Sequence, residues 1–376
     1  MAKLVILKLN GDFESGFQVS LEIGREGKPI YRGISGSLPP GIKLCQCLAT
    51  WQQQYRQLGN NHRIKPQQII YDGSIDPQKN LVQSAHRLQQ ELQNWLNSPS
   101  FNPVDRQLRE ELNRQEAIRI LVCCDRPELF QLPWCCWDLV ENYPQLEVAV
   151  SNFDFERVST VQKLPQNSKV KILAILGNSQ GINLEADRVF LNSLSDGEVE
   201  FLVEPTRQQL YAHLWQETWD IVFFAGHSKT VDGTGVLHLN QEDELTIDEL
   251  RHGFKKAIAN GLQLAIFNSC DGLGLAKSLG ELSLPQAIVM RLPIPDLMAQ
   301  QFLKYFLQAY AGGSSLYLAT RMAREQLQGW EKQFPCASWL PTIYQNPAII
   351  PPDWQDLRGN SVKRLITQNG TYYLQF

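Results

Sequence analysis

Apolar residues in the first part of the chain come in short clusters separated by polar, helix-periodic stretches. Lys3 to Leu9 and Gly16 to Ile23 alternate as strands do, and residues 43–57, 78–97 and 104–114 carry the helical period. Asn97-Ser-Pro-Ser100 breaks the second helix from the third. Ala117-Ile-Arg-Ile-Leu-Val-Cys123 and Leu146-Glu-Val-Ala-Val150 are apolar runs of strand length. Val158 to Ser168, with Pro165 and several polar residues, is the candidate boundary between two units.

Beyond it the pattern becomes regular. Strands are expected at 170–176, 198–203, 220–224, 262–267 and 286–290, with a last one at 342–344. Helices are expected from Leu184, after the capping residue Thr206, and over 296–311 and 314–327. Thr246-Ile-Asp-Glu249 reads as a capping box, in which the Thr hydroxyl accepts from the amide three residues on and the Glu reaches back. Strands apolar on both faces that alternate with amphipathic helices imply α/β architecture with a mostly parallel sheet covered on both sides. The expected division is an amino-terminal α/β domain at 1–160, a second at 169–350 and a tail at 351–376.

Composition narrows the class without deciding it. At 376 residues and 43% hydrophobic content, the chain can build two sizeable cores. A net charge of −4 with no basic run beyond Lys255-Lys256 leaves no footprint for nucleic acid. No apolar run reaches bilayer length, and the alternating start lacks the features of a signal peptide, so the expected location is cytoplasmic. The 8 cysteines include the adjacent pairs Cys123-Cys124 and Cys135-Cys136, which fit neither a secreted disulfide framework nor paired zinc hooks. No metal and no cofactor is expected. His213, His238 and His252 share no ligand spacing and read as solvated or capping residues; Trp134 and Trp137 read as core. Gly177-Asn-Ser-Gln-Gly181 lacks the spacing of a phosphate loop and reads as a turn.

Two strands end in residues that carry chemistry. One runs Ile221-Val-Phe-Phe-Ala-Gly-His227 and the other Leu264-Ala-Ile-Phe-Asn-Ser-Cys270. As parallel neighbours they deliver His227 and Cys270 to the carboxyl edge of the sheet, where α/β proteins place their sites. A free thiol is only slightly ionised at neutral pH, and a nearby imidazole converts it to a usable nucleophile. Either residue alone is most simply a packed or satisfied side chain. Together, with the His upstream by a few tens of residues, they match the order of caspase-type cysteine peptidases. The amides of Ser228 and Cys270 are candidate oxyanion donors.

Phe223-Phe-Ala-Gly-His227 and Phe267-Asn-Ser-Cys-Asp271 resemble the two motifs of CHAT-domain proteins, a bacterial caspase-like group related to separases. Leu132-Pro-Trp134 with Trp137-Asp-Leu139 resembles that family's upstream segment; Pro293-Ile-Pro-Asp296, Phe302 and Ala319-x-x-x-Ala323-Arg324 resemble its downstream helices. More narrowly, the chain resembles a cyanobacterial subset in which this region precedes a CHASE2 sensor segment. The resemblance covers about residues 117–347. It implies a cysteine endopeptidase acting on a protein or peptide through a His227–Cys270 dyad without metal or cofactor, and regulation by a protein partner. It also implies that residues 1–160 form a degenerate, pseudo-protease half. Ser228 stands where the family commonly has Gly, and Asn268 where metacaspases carry an Asp that receives a basic side chain. Asn268, Asp271 and Asp296 are the substrate-binding candidates, with Glu281 a further nearby carboxylate. The alternative is a catalytically silent signalling module that uses the same cleft for recognition, and selective alkylation of Cys270 near neutral pH separates the two. A nucleotide-binding domain lacks the glycine signatures it requires.

Overall fold

In the computed structural model the strands are β1 (Lys3–Asp12), β2 (Gly16–Arg25), β3 (Arg32–Leu38), β4 (Ile118–Cys123), β5 (Leu146–Ser151), β6 (Val170–Leu176) and β7 (Gly197–Val203). They continue as β8 (Ile221–Gly226), β9 (Ser228–Val231), β10 (Thr234–His238), β11 (Glu244–Thr246), β12 (Leu264–Ser269), β13 (Gln286–Met290), β14 (Pro341–Gln345), β15 (Arg364–Gln368) and β16 (Thr371–Gln375). The structure describes residues 2–58, 77–155, 169–178, 182–231, 234–269, 282–359, 364–368 and 371–375. The expected boundary at Val158–Ser168 lies outside them.

Among the described residues eleven strands form one sheet in the order β3-β2-β1-β4-β5-β14-β13-β12-β8-β6-β7. Only β1/β2, β2/β3 and β13/β14 are antiparallel; the other neighbours run parallel. The protein is therefore mixed α/β, with a large, mostly parallel sheet flanked by helices. The seam between the halves is β5 against β14, where Ala149 and Val150 face Ile343 and Tyr344. β4, β5, β8 and β13 are buried at every position, which is why they read as continuous apolar runs and not as alternation.

The helices follow their periodicity. In Pro77–Leu96 the buried residues Leu81, Ala85, Leu88, Leu92 and Trp95 repeat at three- and four-residue steps and make one core-facing stripe. Thr206 opens Arg207–Gln216 with a reciprocal cap to Gln209. The Thr246/Glu249 box is also formed, with the Thr246 amide 2.9 Å from Glu249 Oε2 and the Glu249 amide 3.2 Å from Thr246 Oγ1. It holds the turn that precedes Arg251–Ala259. The expected helix at 104–114 instead runs Asn102–Glu111, because Pro103 suits a first turn.

Apolar packing is continuous across the seam. Trp51 of the amino-terminal half meets Trp339 of the other with ring centres 5.6 Å apart. After β14 the chain returns to the core, with Trp354 fully buried and edge-on to Tyr310 at 5.7 Å. Among the described residues no helix is long and apolar enough to cross a membrane.

Candidate active site

The carboxyl ends of β8 and β12 are in register. The parallel pairing starts at Leu264 opposite Ile221 and ends at Ser269 opposite Gly226. Both strands run two residues further than the apolar runs alone indicate, so the sheet extends up to the residue before His227. Cys270 follows Ser269 in the chain; with Asp271 and Glu281 it lies outside the described residues.

His227 occupies the single position between β8 and β9. Its carbonyl accepts the amide of His238 at 3.0 Å, and the two imidazoles meet edge to face with centroids 6.5 Å apart. His238 Nδ1 lies 3.1 Å from Glu244 Oε1. Ser228, buried, opens β9 opposite Leu237 of β10. Two glycines make this crowding feasible. A Cβ on Gly177 would fall 2.5 Å from the His238 carbonyl oxygen, and one on Gly226 would come within 3.1 Å of the Gly177 Cα. The Gly177 amide accordingly reaches the Ala225 carbonyl at 2.8 Å, and the Asn178 amide reaches that of His238 at 3.0 Å.

His238 and Glu244 are additions that the spacing of histidines did not reveal. A signal was present in the alternation around Val236-Leu-His238, followed by a polar turn and Glu244-Leu-Thr246. Asn240 closes that turn, its Oδ1 accepting from the amides of Glu242 at 2.8 Å and Asp243 at 2.7 Å.

Asn268 lies inside β12 opposite Ala225 and is fully buried. Its Nδ2 donates to the Ala299 carbonyl at 3.0 Å, tying the strand end to the helix Asp296–Ala311. Asp296 begins that helix and is almost completely buried. Its Oδ2 accepts from the Asn183 amide at 3.2 Å and from Gln300 Nε2 at 2.9 Å, and the same Gln300 nitrogen donates to the Asn183 carbonyl at 2.9 Å. A carboxylate at a helix start is also favoured by the helix dipole. Among the described residues no cluster of three or more His, Cys, Asp or Glu could hold a metal ion.

The fold has counterparts among solved structures. Two crystal structures of the Saccharomyces cerevisiae separase–securin complex superpose with TM-scores of 0.53 and 0.54 at 9% and 10% identity; both matches cover 91% of this chain and 30% of that chain. This chain thus spans less than a third of the length of that relative. The Arg-specific cysteine proteinase gingipain R superposes with a TM-score of 0.42 at 11% identity, covering 69% of this chain and 70% of that one. No curated protein sequence gives a significant match. The protein has a caspase-like α/β fold, similar to that of separase. The sequence profile of the CHAT domain matches residues 90–346, well over half of the chain. The chain belongs to the CHAT-domain family.

Proposed function

We propose that this protein is a caspase-like cysteine endopeptidase whose nucleophile is Cys270 and whose acid–base partner is His227. The observation that carries the reading is the β8/β12 register, in which Ser269 stands opposite Gly226 and the residues that follow them in sequence are Cys270 and His227. Membership of the CHAT family supports it. In this mechanism His227 takes the thiol proton, and the sulfur attacks the scissile carbonyl of a bound peptide. The amides of Ser228 and Cys270 hold the developing oxyanion. His227 then protonates the leaving amine, and water releases the acyl-enzyme. The chemistry calls on no metal or cofactor.

In the same reading the amino-terminal half is a non-catalytic, pseudo-protease-like partner that completes the sheet. A protein substrate and a regulatory protein partner belong to the proposal, supported by the separase structure having been solved with securin. The test is cleavage of a peptide library by wild type and by Cys270→Ala, together with peptide-resolved alkylation of Cys270 near neutral pH. Cleavage lost in the variant and selective alkylation are expected. An unreactive Cys270 and no cleavage in either protein would favour the silent signalling module.

A further inference from the structure

The eleven-stranded sheet ends in two edge strands, β3 and β7. β3 is overlaid by the chain around the helix Asn102–Glu111: its Ser37 amide donates to the Ser100 carbonyl at 3.5 Å, and Arg32 Nη2 to Gln107 Oε1 at 2.8 Å. β7 is paired on one side alone. The Val170 amide donates to the Asp196 carbonyl at 2.8 Å and the Glu204 amide to the Leu176 carbonyl at 2.7 Å, so the even-numbered residues turn their backbone groups to β6. Alternate residues of a strand address opposite sides. Val199, Phe201 and Val203 therefore present their amides and carbonyls at an edge that is open among the described residues. On one face of this edge Arg188 of the helix Leu184–Asn192 lies over the Phe201 ring at 5.6 Å, with Val189 and Val203 both more than half exposed. On the other, Glu198 and Glu200 are exposed.

The chain brings a second sheet to this edge. After β14 the Tyr310 hydroxyl donates to the Pro352 carbonyl at 2.9 Å, Trp354 is fully buried, and Arg358 Nη1 donates at 3.0 Å to Oδ2 of Asp196, the residue before β7. From Gly359 to Arg364, where β15 begins, there are five residue steps. They reach at most about 18 Å, whereas β3 lies ten strand spacings away, roughly 48 Å across the sheet. β15 and β16 pair only with each other among the described residues. Their register sets Leu365 opposite Leu374 and Ile366 opposite Tyr373, neighbouring positions that belong to opposite faces. A two-stranded hairpin is marginally stable at best, and it cannot cover two apolar faces by itself.

We propose that the hairpin β15–β16 docks on the open edge of β7 in the same chain, with β15 parallel to β7. The Arg358–Asp196 contact fixes the entry point at the amino end of β7, so β15 can leave in the direction of β7 without crossing it. Charge favours this occupant. Residues 360–376 contain Lys363 and Arg364 and no Asp or Glu, whereas β7 contains Glu198 and Glu200 and no Lys or Arg. A second copy of β7 is the poorer occupant, because antiparallel pairing of two such strands brings the glutamates of one close to those of the other. The hairpin also has groups to offer. Gln368 and Thr371 close a two-residue turn, which makes them a hydrogen-bonded pair, and by alternation Ile366 and Tyr373 are another. The amides and carbonyls of Leu365 and Thr367 then face away from β16 and can meet those of Val199, Phe201 and Val203. The docking does not depend on the peptidase reading.

Residue-resolved hydrogen exchange on the full 376-residue chain tests the docking. The amides of Val199, Phe201 and Val203 should be protected to within about tenfold of Glu200 and Leu202, which are bonded to β6. That protection should be the same in dilute and in concentrated protein. Thr367→Pro removes an amide that faces β7 in the proposed arrangement and leaves the bonds between β15 and β16 in place. In this variant Val199, Phe201 and Val203 should exchange freely while Glu200 and Leu202 stay protected, which also shows that the core is folded. Free exchange of the three amides in the wild type would overturn the proposal. Protection that disappears on dilution would do the same by assigning the edge to a second copy, and protection that survives Thr367→Pro would show that the hairpin is not what covers it.

Discussion

Glu147 and Arg324 form a buried ion pair across the seam, 2.9 Å from Oε2 to Nη2, one on β5 and the other on the helix Leu316–Leu327. Beside it Arg321 donates through Nη1 to the carbonyls of Val140 and Tyr143, each at 2.9 Å, and of Leu146 at 2.5 Å. The carboxy-terminal half thus caps backbone groups of the amino-terminal half with charge. Glu147→Ala should lower stability by about 3–5 kcal/mol, the typical cost of leaving a buried partner unpaired. Urea denaturation measures it, and Glu147→Gln, which keeps an acceptor, should lose less.

The seam also sets the fate of fragments. A protein beginning at Lys169 would lack β5, the strand that covers β14, and would take from Arg321 the carbonyls of Val140, Tyr143 and Leu146 and from Arg324 its partner Glu147. It should aggregate or bind a hydrophobic dye. A monomeric fragment that unfolds cooperatively would show that the halves are merely tethered.

Most of the sheet was legible because its strands are buried on both faces, so Ile118–Cys123 and Ile221–Gly226 stand out as unbroken apolar runs. β3 was not, since Arg32-Gly-Ile-Ser-Gly-Ser-Leu38 carries two glycines and little β-branched content. Gly36 is needed there because a Cβ would fall 2.4 Å from Val104 Cγ2. The pairing of β5 with β14 joins residues nearly two hundred positions apart, and no local pattern encodes it. At the candidate site the position of His227 directly after a strand was legible from the apolar run before it. His238 was not, because it reaches His227 through the β9–β10 ribbon and not through a motif. Trp354 is another missed anchor, although Asp353 caps its helix reciprocally with Asp356.

If Cys270 and His227 act as one unit, Cys270→Ala should abolish peptidase activity, and His227→Ala should cost a comparable factor of several orders of magnitude. The double variant should lose little more, since members of a catalytic unit are strongly non-additive. Turnover of a cleavable peptide measures all three, with circular dichroism to show the folds intact. Wild-type turnover by Cys270→Ala would end the assignment.

If His227 is the acid–base partner, the contact between the His227 and His238 rings assigns His238 and Glu244 a positioning role in the proposed reaction. Glu244→Ala should leave KM nearly unchanged and lower kcat by up to about a hundredfold, the scale at which a misplaced catalytic group costs rate. Glu244→Gln, which keeps an acceptor 3.1 Å from His238 Nδ1, should recover part of the loss. An equal loss in both variants would point to a role for the charge itself.

Asn268 bears on which side chain the proposed enzyme accepts before the cleaved bond. Its amide is fully buried and donates to the Ala299 carbonyl at 3.0 Å, an arrangement that supplies no negative charge for a guanidinium or ammonium group. Asp296 carries a carboxylate, but one oxygen is engaged by the Asn183 amide and Gln300, so turning it towards a substrate would break both contacts. Cleavage of peptides varied at the residue before the scissile bond should therefore show no strict requirement for Arg or Lys. Asn268→Asp should not create one. It would replace a donor with a buried carboxylate facing a carbonyl oxygen, and loss of stability by several kcal/mol is the expected result. Asp296→Asn keeps the acceptor and should leave the cleavage profile unchanged. Asp271 follows the proposed nucleophile and is the one remaining acid adjacent to it in the chain. Strict Arg or Lys selectivity that disappears in Asp271→Asn would refute the prediction and identify Asp271 as the specificity residue.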